Sequence, residues 1–162
     1  MDLSHEAEIL RNVPLFGGLP PAQLKLLAFT GSAQRFEPGD VLMAKGDRAD
    51  SAYVVLDGEV EVINISRGGG EFVVAVQGRN SFVGEMGVIC DAPRSATVRA
   101  KTAVRALRIS GEVFLRLACE NPQRALYVMR QLSNRMAQDL TVIAALREEL
   151  EEARGALARA AK

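Results

Sequence analysis

Between Val83 and Ala100 the chain reads VGEMGVICDAPRSATVRA, a set of residue types and spacings that describes an anion site. Glycines on both sides of Glu85-Met86 suit a single helical turn entered from a strand and open to close backbone approach. Amide groups at the start of such a turn favour an anion. Arg94 can return across the following loop to set a planar guanidinium on that anion, and Ser95 adds a hydroxyl and a backbone donor. One arginine balances one charge, so a singly charged phosphodiester suits the site better than a triphosphate, which needs a metal or several cations. A glutamate beside a phosphate is unfavourable unless it accepts hydrogen bonds from ligand hydroxyls, and Glu85 is placed to do so. A ribose 2′-hydroxyl is the natural donor, and in a 3′,5′-cyclic nucleotide it is the only free ribose hydroxyl. The alternative is a turn in which Arg94 and Glu85 pair with each other and no ligand binds.

The elements that must position these groups are legible in the flanking sequence. Ser4 to Thr30 has helical character, with Ile9, Leu10 and Val13 in one patch and LPPAQLKLLAF opening on prolines suited to a first helical turn. Two short helices joined by PLFGG are expected. From Ala33 the texture becomes period-two alternation punctuated by glycine, as in AQRFEPGDVLM, SAYVVLDGEVEVINIS and EFVVAVQ. SRGGGEF separates two such runs and reads as a hairpin tip rather than a phosphate loop, which would open a helix. With SATVRAK and AVRALRIS the total reaches about eight short antiparallel strands, predicting a mainly β fold, a β-roll or jelly roll with flanking helices. Strand texture stops at Ile109; Ser110 can cap a short helix over EVFLRLACE, and Asn121-Pro122 supplies a cap and a first-turn proline for a long helix. The expected organisation is a β-roll unit with its N-terminal helices over 1–121 and a long C-terminal helix over 122–162.

That last helix carries Met129, Leu132, Met136, Ile143, Leu146, Leu150, Ala153 and Leu157 at alternating three- and four-residue steps, interrupted by Asp139. Such a seam predicts pairing with a second copy, most clearly beyond Leu146. Lys plus Arg and Asp plus Glu both number 20, so the formal net charge is zero and no strong field draws in nucleic acid or an anionic membrane. The longest apolar runs fall short of the roughly 18 residues of a membrane span. Acidic residues in MDLSHEAEIL stand where a secretory signal is basic, so a cytoplasmic protein is expected. Cys90 and Cys119 form no CxxC pair, and His5 is the only histidine. No metal site and no catalytic residues are expected, since hydrolysing a phosphodiester calls for metal ligands and a water activator.

The 83–100 stretch resembles the phosphate-binding cassette of the cyclic nucleotide-binding domain family, found in bacterial catabolite-activator regulators, kinase regulatory subunits and gated channels. Val83, Gly84, Glu85, Gly87, Val88, Arg94, Ser95, Ala96, Val98 and Ala100 all fit its pattern. LMAKGDRADSAYVVLDG matches a second pattern, with Gly46, Asp47, Ala49 and Gly58 at expected turns; Ala52 departs where a larger apolar residue is usual. Gly39, Gly46 and Gly58 read as structural, and VPLFGGLPPAQLKLLA looks like the family's opening helices. The resemblance implies that Glu85 would hold the ribose 2′-hydroxyl and Arg94 the cyclic phosphate, while Gly84, Met86, Gly87, Ser95 and Ala96 complete the cradle. Val74, Val83 and Val98 are candidate base contacts. Ser95 after the arginine tilts the ligand towards cAMP over cGMP. On the long helix the alignment puts Ile143 and Ala144 where the catabolite-activator type offers hydroxyls, so apolar stacking on the base is expected, with Thr141 as a candidate donor.

The function so implied is a non-enzymatic cyclic nucleotide receptor that signals through its C-terminal helix and a homodimer to a separate, unknown effector protein. A transcription regulator predicts a basic helix-turn-helix after the long helix, where this chain has EELEE and then ends; no nucleic-acid contact and no membrane insertion are expected. A regulatory fragment of a larger channel, kinase or transcription regulator is an alternative. So is a dimeric scaffold whose pocket is vestigial or accepts another ligand.

Overall fold

The structure, a computed structural model, describes residues 3–161, and divides into two compact units between Glu120 and Asn121. In the first, helix α1 (Leu3–Arg11), a 3-10 turn (Pro14–Phe16) and helix α2 (Pro21–Thr30) precede the strands. Pro20 caps α2 and Pro21 opens it, the position where a missing N–H goes unnoticed.

Eight strands follow: β1 (Ser32–Phe36), β2 (Val41–Met43), β3 (Ser51–Asp57), β4 (Val60–Ile65), β5 (Glu71–Gln77), β6 (Phe82–Val83), β7 (Thr97–Ala100) and β8 (Val104–Ser110). They form two four-stranded sheets, ordered β1-β8-β3-β6 and β2-β7-β4-β5, with every pairing antiparallel. This is the expected eight-stranded β-roll. The two inner faces meet in one core. Tyr53, Val55, Val83, Val104 and Ala106 come from the first sheet, and Leu42, Met43, Val60, Val98 and Ala100 from the second. Each Val, Leu or Met among them stabilises the roll by about 1.5–3 kcal/mol when fully buried.

β3 reads SAYVVLD and is buried from Ser51 through Leu56, because α1, α3 (Glu85–Ile89) and α4 (Gly111–Ala118) all pack against it. A second apolar layer joins the helices to the first sheet. The rings of Phe16, Phe82 and Phe114 stand 5.1 to 6.4 Å apart, tying the 3-10 turn to β6 and α4. The SRGGGEF stretch is the β4–β5 hairpin tip, closed by Ser66 N–H donating to the Gly70 carbonyl at 2.8 Å.

β8 runs one residue further than alternation predicts, through Ser110, whose hydroxyl then caps α4 by accepting from the Val113 amide at 3.2 Å. The second unit is one helix, α5 (Pro122–Ala160). Asn121 Oδ1 accepts from the Arg124 amide at 2.9 Å, the cap that the Asn-Pro pair predicts. Met129, Met136, Ile143, Leu146, Leu150 and Leu157 are all exposed on it. Among the described residues no helix is long and apolar enough to cross a membrane.

Candidate ligand-binding site

β6 delivers the chain into α3 through Gly84, which caps the helix with φ 85° and ψ 3°. The backbone there is left-handed, and the surrounding space is closed as well. A Cβ on Gly84 would lie 2.8 Å from Arg94 Nη1 and 2.8 Å from Met43 Cε. Glycine therefore lets the guanidinium lie directly against the helix entrance. Gly87 has a packing role, since a Cβ there would meet the Ala49 Cβ at 2.5 Å.

The loop after α3 is fastened to the β2–β3 turn by backbone bonds. The Arg94 amide donates to the Asp47 carbonyl at 2.8 Å, and the Gly46 amide donates to the Arg94 carbonyl at 2.9 Å. With its backbone fixed on both sides, Arg94 sends its side chain inward, where it is 6% exposed. Nη1 donates to the Gly84 carbonyl at 2.8 Å and Nη2 to the Ser51 carbonyl at 2.6 Å.

Both acceptors are neutral oxygens, so they orient the guanidinium without cancelling its charge. Burial pushes the Arg94 pKa down, with the nearby Asp50 charge acting in the opposite sense; an arginine so placed remains a cation. Asp50 is itself engaged, accepting from the Ser51 hydroxyl at 2.8 Å and from Arg108 Nη2 at 3.1 Å. The Ser51 hydrogen bond is the main reason its carboxyl sits below the usual range, opposed by partial burial and aided by Arg108. The result is a buried, rigidly held positive charge at the mouth of a short helix, an arrangement suited to one anionic group.

The remaining predicted contacts are placed as follows. Glu85, the first residue of α3, is 2% exposed. Met86 and Ser95 are exposed and Ala96 is half-buried. Val83 and Val98 lie in the core between the sheets. Val74 is exposed and falls at the β4–β5 register shift, between Ala75 opposite Val62 and Val73 opposite Ile63. Thr141, Ile143 and Ala144 belong to α5 in the second unit; the Thr141 hydroxyl donates to the Ala137 carbonyl at 3.0 Å, and Ile143 is exposed. Among the described residues no group of His, Cys, Asp or Glu side chains is arranged to hold a metal ion.

Sequence reasoning missed Ser51 and Asp50 as partners of the site. Ser51 reaches Arg94 through its backbone carbonyl, which carries no residue-type signal, and from 43 positions away in sequence. The GDRADS stretch signalled only a tight turn.

Residues 33–121 match the sequence profile of the cyclic nucleotide-binding domain. The chain is 31% identical over 108 residues to the cAMP-dependent protein kinase regulatory subunit of Blastocladiella emersonii, covering 67% of this chain and 27% of that protein. It is 32% identical over 108 residues to the potassium channel SKOR of Arabidopsis thaliana, covering 67% of this chain and 13% of the channel. The matched region thus spans about a quarter or less of these relatives. The regulatory domain of Toxoplasma gondii PKA, solved with cAMP, superimposes with a TM-score of 0.66 at 28% identity, covering 69% of this chain and 42% of that one. With the β-roll, the glycine-opened turn and the buried arginine in place, the chain belongs to the cyclic nucleotide-binding domain family.

Proposed function

We propose that this protein is a non-enzymatic cytoplasmic receptor for a 3′,5′-cyclic nucleotide, cAMP in preference to cGMP, which passes the signal to a separate protein. The observation that carries this reading is the Arg94 guanidinium, buried on two neutral carbonyls beside the Gly84 turn. The cyclic phosphate, with its single charge, is the group that balances it. Gly84, Met86, Gly87, Ser95 and Ala96 form the rest of a phosphate-binding cassette, and Glu85 takes the ribose 2′-hydroxyl. A serine at position 95 and relatives named for cAMP favour the adenine nucleotide.

Residues 1–121 act as the receptor unit and residues 122–162 as lid and dimerisation helix, with Ile143 or Ala144 against the base. Shifting a two-state receptor from 1:99 to 99:1 requires about 5.5 kcal/mol of differential affinity. One charge-assisted hydrogen bond contributes about 1.5–3 kcal/mol, so cradle and helix act together. The modest share of each relative that is matched favours a second reading, a regulatory segment of a larger channel or kinase.

Competition for a fluorescent cAMP analogue tests the assignment. cAMP is expected to displace it at lower concentration than cGMP, and 2′-deoxy-cAMP to compete more weakly than cAMP. Equal competition by the deoxy analogue would remove Glu85 from its role, and a preference for cGMP would overturn the base assignment.

A further inference from the structure

A second cleft, of about 490 Å³, lies in the first unit away from Arg94, and three arginines line it: Arg35 on β1, Arg105 on β8 and Arg79 before β6. Arg35 and Arg105 are direct partners in the antiparallel ladder, and on its other side Arg105 is in register with Asp57 of β3. Directly opposed residues project on the same face with Cβ atoms about 4.5–5.5 Å apart, and like charges so placed destabilise a sheet. Arg11, Arg99, Lys101, Arg108 and Arg116 each stand within 3.5 Å of a carboxylate. Among the described residues Arg35, Arg79 and Arg105 have no such partner, although Asp57 and Glu37 also line the cleft. Three guanidiniums against two carboxylates leave an excess of positive charge.

We propose that this cleft is a second ligand site, in which Arg35 and Arg105 together grip a carboxylate or phosphate group of a small organic anion and Arg79 closes over it. Its volume falls within the ~300–1,000 Å³ of small-molecule pockets. Two guanidiniums in direct register can each donate to one oxygen of such a group, and its charge offsets the Arg35–Arg105 repulsion.

The test is a titration of the ¹⁵N-labelled full chain with sodium phosphate and with sodium acetate, against sodium chloride at equal ionic strength, followed by amide chemical shifts. Saturable shifts are expected at residues 34–36, 79 and 104–106 with phosphate or acetate and not with chloride. The double variant Arg35→Gln/Arg105→Gln should weaken them at least tenfold while keeping a dispersed spectrum. Shifts at Gly84–Ala96 report the cyclic nucleotide site separately, so either site can fail without the other. Chloride-like behaviour of both anions at 34–36 and 104–106 in the wild-type chain would overturn the proposal, as would undiminished shifts in a folded double variant.

Discussion

Replacing Gly84 by alanine puts two effects on one atom, and a second glycine separates them. Gly84 and Gly46 have nearly the same backbone conformation, with φ of 85° and 89°. A side chain in this left-handed region costs about 1–2 kcal/mol, so Gly84→Ala and Gly46→Ala share that loss of folding stability. Their surroundings differ. A Cβ at Gly46 meets nothing within 4 Å, whereas at Gly84 it meets Arg94 Nη1 at 2.8 Å and Met43 Sδ at 3.0 Å. The Gly84 variant must therefore move the guanidinium and the Met43 thioether, and the contact it disturbs is the Arg94 Nη1 bond to the Gly84 carbonyl. A hydrogen bond to a charged group contributes about 1.5–3 kcal/mol, so cAMP affinity should fall about 10- to 150-fold in Gly84→Ala and stay near wild type in Gly46→Ala. Urea denaturation gives the shared stability loss, and calorimetric titration the binding difference. If the two variants bind cAMP equally well, the guanidinium position set by Gly84 is irrelevant to the ligand, and the site as described is wrong.

Asp50 holds a depressed pKa, so its contribution to stability is complete above the ordinary aspartate value of about 3.9 and is lost as pH falls through its lower folded value. Asp50→Asn should lower stability near neutral pH and flatten the acid limb below about pH 4, read by thermal melts across pH; a parallel loss at every pH would contradict this. On α5, Leu146 and Leu150 are exposed in the single chain, so Leu146→Asp/Leu150→Asp should leave folding stability within about 0.5 kcal/mol. The same change should weaken self-association by about 3 kcal/mol or more, ~100-fold, in sedimentation equilibrium. An unchanged dimer would move the interface off this seam.

The roll was legible because strands such as β7 and β8 alternate against a core lying between two sheets, and because Ser110 and Asn121 cap helices by local chemistry that neighbouring residues reveal. The turn at Gly84 and the charge at Arg94 were legible for the same reason: glycine and arginine declare a tight turn and a cation. What holds Arg94 was hidden, since its acceptors are backbone carbonyls brought near by β3 and β6. Gly87 was read for ligand approach, whereas its space is taken by Ala49. Ala52 departed from the family pattern, and its place explains how the chain tolerates a small residue: it is wholly buried on β3, opposite Ile109, in a strand covered on both faces. Alternation could not place Val74, because the register of β5 shifts at that residue.

The central claim is that Arg94 carries a cyclic phosphate, and it is tested most directly by calorimetric titration of nucleotide-free protein with cAMP, in the wild type and in Arg94→Ala. The account predicts saturable binding near one ligand per chain, weakened by about 2–5 kcal/mol in a folded variant. A folded wild-type protein that binds no cyclic nucleotide, or a variant whose affinity stays within twofold, would contradict it.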